Sequence, residues 1–153
     1  MAMLIAFPKA EAEALQDLKP VPDVVFLDLK GSRRALSEFQ GRVVLINFWG
    51  TWCVPCLREI PERVFLSHQL KGRGLEVVGI AIDSGRPEDI RSFMTEHGMD
   101  YHIRLGELGL AKRVFQILGF PTSLLIDRHG MVCKRYVGPQ TLEVFRKDAE
   151  ALL

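Results

Sequence analysis

The sequence predicts an α/β sandwich: a central mixed β-sheet with helices on both faces and a β-hairpin extension on its N-terminal side. Three observations predict it. The runs Val43–Trp49 and Leu75–Ile82 are almost unbroken apolar stretches, which suits interior strands covered on both faces. The segment between them is long enough for a helical crossover, so these strands run parallel. Near the C-terminus two strand-like runs flank Arg128-His129-Gly130, so one side of the sheet is antiparallel.

The elements follow in order. Residues 10–18 have the pattern of a short amphipathic helix, ended by Pro20 and Pro22. Residues 24–29 and 33–36 form a hairpin about Lys30-Gly31-Ser32. Ser37 is placed to cap a single helical turn before Gly41. After the first buried strand, a helix runs from about Cys53 to Leu70, and Pro61 inside it predicts a kink. Pro87 suits the first turn of a helix ending at His97, and Gly98 terminates it. Tyr101–Leu105 is a short strand and Glu107–Ile117 a helix ending near Gly119. The hairpin Thr122–Asp127 and Met131–Val137 follows, and Thr141 caps a last helix to Leu153.

A chain of 153 residues is enough for one domain with a sizeable core, read as residues 21–153 behind an arm of residues 1–20. Net charge is +1 and the charges are scattered, so no basic run tracks phosphates and nucleic acid is not an expected partner. No apolar stretch has the length of a bilayer span. Three cysteines make no structural disulfide framework. The opening Met1–Phe7 is too short for a secretory signal; the chain is cytoplasmic if Met1 is its native start, and another compartment is open if a leader was removed.

The most informative feature is Trp52-Cys53-Val54-Pro55-Cys56. Two cysteines spaced this way, at the start of a helix after a central strand, form a dithiol that closes into a disulfide and opens again. The helix N-terminus favours a thiolate on Cys53, with Cys56 about one turn deeper and shielded as its resolving partner. Pro55 stiffens the loop, and Trp52 is a flat apolar wall beside it. No second Cys-x-x-Cys or His pair has ligand spacing, so no metal is expected.

Taken with a second motif downstream, these residues resemble the thioredoxin superfamily, and within it the TlpA- and ResA-like bacterial thiol-disulfide proteins. The match rests on Phe48-Trp49-Gly50-Thr51-Trp52-Cys53-Val54-Pro55-Cys56-Leu57-Arg58-Glu59-Ile60-Pro61 and on Gly119-Phe120-Pro121-Thr122-Ser123 ahead of Leu124–Asp127. The resemblance covers roughly residues 22–150 and implies a thioredoxin-like three-layer sandwich without a cofactor. It implies dithiol/disulfide exchange with disulfide-containing proteins, in the direction of reduction, by a monomer recycled by another redox protein. It also implies a periplasm-facing protein if a leader was removed. Cys53 and Cys56 are then catalytic. Trp52, Val54, Pro55, Phe120 and Pro121 contact the substrate, which adds to a loop with a cis Phe120–Pro121 bond. A thioredoxin-like motif lowers a thiol from about 8.5 to about 7, which raises the thiolate fraction at pH 7 about 15-fold. The anion is then about 5-fold less nucleophilic, so the net gain is about 3-fold, and the larger benefit is leaving ability.

The chain also departs from the pattern. Many thioredoxins carry a buried aspartate where Asn47 stands, with a lysine partner near Gly79. Both are absent, which removes the obvious proton acceptor for Cys56. Val54 replaces the glutamate that some ResA-like proteins carry between the cysteines, and Thr122 and Ser123 stand where cytochrome-maturation members can carry a glutamate. Glu59 is the remaining candidate for a proton relay, although its sequence context also reads as a solvated helix position. Trp49 reads equally as core or as site lining. Cys133 reads as a small apolar residue on an edge strand, and His68, His97, His102 and His129 as surface residues. Two other functions stay open at this point. One is a peroxiredoxin-like peroxidase, although the proline of its Pro-x-x-x-Thr-x-x-Cys run is missing. The other is a non-catalytic Cu(I) carrier, which lacks a placed third ligand.

Overall fold

The computed structural model describes residues 18–153, so the helix read over 10–18 and most of the arm lie outside the described residues. Within them, eight strands form one sheet: β1 (Lys19–Pro20), β2 (Val25–Leu27), β3 (Arg33–Ala35), β4 (Val43–Trp49), β5 (Leu75–Ile82), β6 (His102–Gly106), β7 (Thr122–Ile126) and β8 (Met131–Val137). The helices are α1 (Val54–Leu70), α2 (Pro87–His97), α3 (Leu108–Phe115) and α4 (Leu142–Leu152). The sheet order is β1-β8-β7-β4-β5-β6-β2-β3. β4, β5 and β6 are parallel neighbours, and every other pairing is antiparallel. The mixed α/β sandwich is therefore present, with the β2–β3 hairpin added beside β6. The sheet already begins at Lys19, just ahead of the boundary drawn in the sequence, because β1 pairs with Met131 and Val132.

Alternation along the central strands divides the core in two. Val43, Leu45 and Trp49 pack with α1, α2 and α4 on one face, through Ile60, Ile90 and Phe145. Val44, Ile46 and Phe48 pack with Phe115 of α3 and with Phe26, Leu36 and Phe39 on the other. This is a period-2 pattern on strands covered from both sides, hidden in the sequence by the lack of polar residues.

Local chemistry accounts for the boundaries, and some differ from the sequence reading. The single turn over Leu36–Phe39 is 3₁₀, and no side chain caps it from its own N-cap. The Ser37 N–H instead donates to Asp23 Oδ1 at 3.2 Å, so the side chain that holds this turn comes from before the hairpin. α3 is shorter than expected because Gln116 adopts a left-handed conformation (φ 56°) directly after Phe115. Thr141 does cap α4, its Oγ1 accepting from the Val144 N–H. α1 runs through Pro61 without interruption.

Candidate active site

The dithiol motif leaves the end of β4 and enters α1 directly. Cys53 is the N-cap of α1 in extended backbone conformation (φ −102°, ψ 100°), and its sulfur accepts the Cys56 N–H at 3.3 Å. Val54 and Pro55 occupy the first helical turn, where a proline forfeits only a donor that the helix leaves unpaired. Cys53 and Cys56 are joined by a disulfide, with Cα atoms 5.2 Å apart. A sulfur at a helix N-cap receiving a backbone N–H is the geometry that stabilises a thiolate once the bond is reduced.

The dithiol reading of the sequence requires the first sulfur to be reachable from solvent, and the structure leaves little of Cys53 exposed. Cys56 is shielded as expected, but Cys53 is also nearly covered, 6% exposed against 3% for Cys56. The exposed surface at the motif belongs to Trp52 (53%) and Val54 (58%). Trp52 is held in place: its Nε1–H donates to the Ile82 carbonyl at 2.9 Å, and its ring meets Phe120 edge-on at 5.2 Å. Phe120 in turn packs on the core cluster that contains both cysteines. The peptide bond between Phe120 and Pro121 is cis, as the resemblance implied. Two hydrogen bonds brace this loop. Thr122 Oγ1 donates to the Gly119 carbonyl at 2.7 Å, and the Gly138 N–H donates to the Pro121 carbonyl at 2.8 Å.

Sequence reasoning missed Ser84. Its Oγ accepts the Thr51 N–H at 3.1 Å and donates to the Ile82 carbonyl at 2.9 Å, tying the motif to the loop after β5. Trp49 belongs to the core: it is buried and packs against Phe93 with ring centroids 5.6 Å apart. Asn47 pairs in register with Gly79 on one side and Ser123 on the other, the arrangement expected for Gly79.

The largest departure lies one helical turn along α1 from Cys56. Glu59 is buried, correcting its reading as a solvated helix residue, and beside it Arg63 is buried too, only 1% exposed. Arg63 Nη2 donates to Glu59 Oε2 at 2.7 Å and to Ser123 Oγ at 3.0 Å. Ser123 Oγ also accepts from Asn47 Nδ2 at 3.1 Å, and the Gln140 N–H donates to Glu59 Oε1 at 2.6 Å. The guanidinium lies 4.4 Å over the Phe145 ring. Burial pushes the Glu59 carboxyl up from its usual range, and the Arg63 charge pulls it back. The signal for this pair was its spacing, acid then base four residues on along one helix face.

Remaining residues fit simpler roles. Cys133 is half-buried on β8, with burial as the main cause of a raised thiol pKa. His68, His97 and His129 are exposed, whereas His102 is half-buried with Nε2 3.0 Å from Glu76 Oε2. No group of three or more metal-ligating side chains occurs among the described residues. No described helix is long and apolar enough to cross a membrane. A cleft of about 240 Å³ lies elsewhere, lined by Leu36, Phe39, Val44, Ile46 and Ile126 among others and by none of the site residues.

The family model described as Redoxin matches residues 16–153. The thiol-disulfide oxidoreductase ResA of Bacillus cereus is 32% identical over 135 residues, 88% of this chain and 77% of the relative. ResA of Bacillus subtilis is 30% identical over 132 residues, 86% of this chain and 73% of the relative. Among solved structures, a thioredoxin-family thiol:disulfide interchange protein from Chlorobium tepidum superposes with a TM-score of 0.78 at 28% identity, covering 88% of this chain and 96% of that one. A putative thiol:disulfide interchange protein DsbE from the same organism gives 0.81 at 27% identity, covering 90% and 97%.

Proposed function

This chain belongs to the Redoxin family and, within the thioredoxin superfamily, to the TlpA/ResA-like thiol-disulfide oxidoreductases, and we propose that it works there as a reductant of protein disulfides. The observation that carries the reading is the Cys53–Cys56 disulfide at the N-cap of α1, with Cys53 sulfur accepting the Cys56 N–H. In the reduced protein the Cys53 thiolate attacks a substrate disulfide. A mixed disulfide forms, and the first substrate sulfur leaves as a thiolate. Cys56 loses its proton and attacks the Cys53 sulfur. The Cys53–Cys56 bond forms, the mixed disulfide breaks, and the second substrate sulfur leaves as a thiolate. Two electrons have then passed to the substrate, and an upstream redox protein restores the dithiol.

Glu59 is the assigned acceptor for the Cys56 proton. Each of its oxygens already accepts one hydrogen bond, and a carboxylate oxygen has a second lone pair. The substrate is read as an extended segment on a monomeric enzyme, laid along the cis-Pro121 loop between Phe120 and the exposed Trp52 and Val54. What supports this is the bracing of that loop by Thr122 and Gly138 and the fixed indole of Trp52. Cys53 is itself little exposed, so the substrate meets the motif first at the exposed Trp52 and Val54.

The experiment is mixed-disulfide trapping in the native cell. The Cys56→Ser variant is expected to hold substrate proteins covalently, and the Cys53→Ser variant to hold none; the reverse pattern overturns the division of roles. A reduction potential above the disulfide isomerase range, about −180 mV, would overturn the reducing direction.

A further inference from the structure

We propose that Arg63 is a positioning residue for the dithiol: it holds Glu59 as a carboxylate one helical turn beyond Cys56 and ties it, through Ser123, to the strand that follows the proline loop. This rests on the reading that Glu59 serves Cys56. Cys56, Glu59 and Arg63 all lie on the buried stripe of α1, successive members three and four residues apart. One nitrogen of Arg63 makes both bonds that matter, to Glu59 at 2.7 Å and to Ser123 at 3.0 Å. Ser123 lies in β7 just past Pro121 and receives Asn47 from β4 as well. A single guanidinium thus joins the helix that carries the dithiol to the strand that carries the substrate loop.

The charges explain why this arrangement matters. A guanidinium keeps its proton in proteins. Burying one is tolerated only beside an anion and a polarisable face, here Glu59 and the Phe145 ring. Arg63 Nε and Nη1 have no hydrogen-bond partner among the described residues, so Glu59 is its one ionic partner at bonding distance. In return Arg63 opposes the burial that drives Glu59 towards its neutral form. The other titratable groups around the pair are Glu62 on α1, Tyr101 before β6, and Tyr136 on β8. Tyr136 donates to Asp148 of α4, which also pairs with Lys134. Burial raises both phenols, so they stay neutral near pH 7. Arg63 is therefore the chief group opposing that burial at Glu59, with the Gln140 N–H second. Without it, the burial that drives Glu59 towards its neutral form would be opposed only by the Gln140 N–H, leaving the carboxyl a poorer acceptor for the Cys56 proton.

The test follows the Glu59 carboxyl carbon by NMR in protein labelled with ¹³C-glutamate, assigned with Glu59→Gln, across pH 4–9. In Arg63→Met the midpoint is expected to rise by roughly 1–3 pH units, the usual effect of a neighbouring guanidinium on a carboxylate. Arg63→Lys, which keeps the charge, restores most of the wild-type midpoint. Arg63→Gln keeps an amide donor but no charge, and rises like the methionine variant; it carries the test if Arg63→Met does not fold. A second measurement is the rate of Cys53–Cys56 closure onto a trapped mixed disulfide against pH. It is expected to lose its Glu59-dependent limb in Arg63→Met and to change no further in Arg63→Met/Glu59→Gln. A midpoint in folded Arg63→Met or Arg63→Gln that stays within a few tenths of wild type, or falls, overturns the proposal. An unmoved carboxyl would leave the reductase reading standing, whereas a wild-type protein unable to reduce disulfides would sink that reading and leave the titration informative.

Discussion

Gly50 tests the claim that the Trp52 wall is built rather than incidental. A Cβ at residue 50 would stand 2.5 Å from Trp52 Nε1 and 2.7 Å from Cζ2, with Cε2 also in collision. Ordinary van der Waals separation is about 3.5 Å or more, so in Gly50→Ala the indole must move by about 1 Å. That displacement breaks the 2.9 Å bond from Nε1 to the Ile82 carbonyl and disturbs the edge contact with Phe120. The bond contributes about 0.5–1.5 kcal/mol and the aromatic pair about the same, so the loss is about 1–3 kcal/mol. With a urea slope of about 2 kcal/mol/M, the unfolding midpoint falls by about 0.5–1.5 M. The control is Trp52→Ala, which loses the same interactions with no ring left to collide. Adding Gly50→Ala to it should change the midpoint by less than about 0.5 kcal/mol equivalent. If Gly50→Ala costs as much without the ring as with it, the glycine matters for some other reason and the reasoning about the wall fails.

Two further outcomes follow from the packing and the buried phenols. In Gly79→Ala the new methyl would stand 2.8 Å from Trp49 Nε1 and 2.9 Å from Ile103 Cδ1, both in the core, so overpacking costs about 1–3 kcal/mol. A thermal melt should fall by roughly 2–12 °C, and an unchanged melt would mean that Trp49 has room the structure does not show. Burial raises Tyr101 and Tyr136 above the ordinary tyrosine value. Above about pH 10 the unfolded chain therefore loses phenolic protons that the folded chain keeps, and stability falls as pH rises, by about 1.4 kcal/mol per pH unit for each tyrosine. Tyr101→Phe should roughly halve that part of the slope in urea titrations between pH 9 and 11; an unchanged slope would locate the alkaline loss elsewhere.

How much of this was legible varied with the physics behind each feature. β4 and β5 were legible because strands buried on both faces are almost wholly apolar, and only Asn47 interrupts the first and Glu76 the second. The second hairpin was legible from its turn, and α4 from its Thr141 cap. The end of α3 was not, because a left-handed Gln116 has no composition signal of the kind that Gly98 offers after α2. Ser37 misled because a serine before an acidic residue resembles a cap, while the group that bonds its N–H is Asp23, across the hairpin. Such long-range side-chain bonds leave no local periodicity. The same holds for Ser84, whose hydroxyl closes the motif from the loop after β5.

The Glu59–Arg63 pair failed to be read for a different reason, and that reason bears on Asn47. Charged residues are assigned to the solvent face by default, because a lone buried charge is costly. The default fails when the partner sits one turn away on the same helix, since the two charges can then be buried together. Admitting them completes the stripe Cys56, Glu59, Ile60, Arg63, Leu66, Ser67 and Leu70. Across the sheet beneath, Tyr136, Ser123, Asn47, Gly79 and Ile103 stand at one level on five adjacent strands. That row carries no formal charge while its tyrosine stays protonated, and the buried stripe of the helix above it carries one anion, Glu59, and one cation, Arg63. An aspartate at residue 47 would add a second anion to a single guanidinium and leave the buried cluster at net −1 beside a sulfur that must itself become an anion. Asn47 in the sheet and the Glu59–Arg63 pair on the helix are therefore one electrostatic arrangement: the sheet stays neutral, and the buried acid lies on the helix with its own cation.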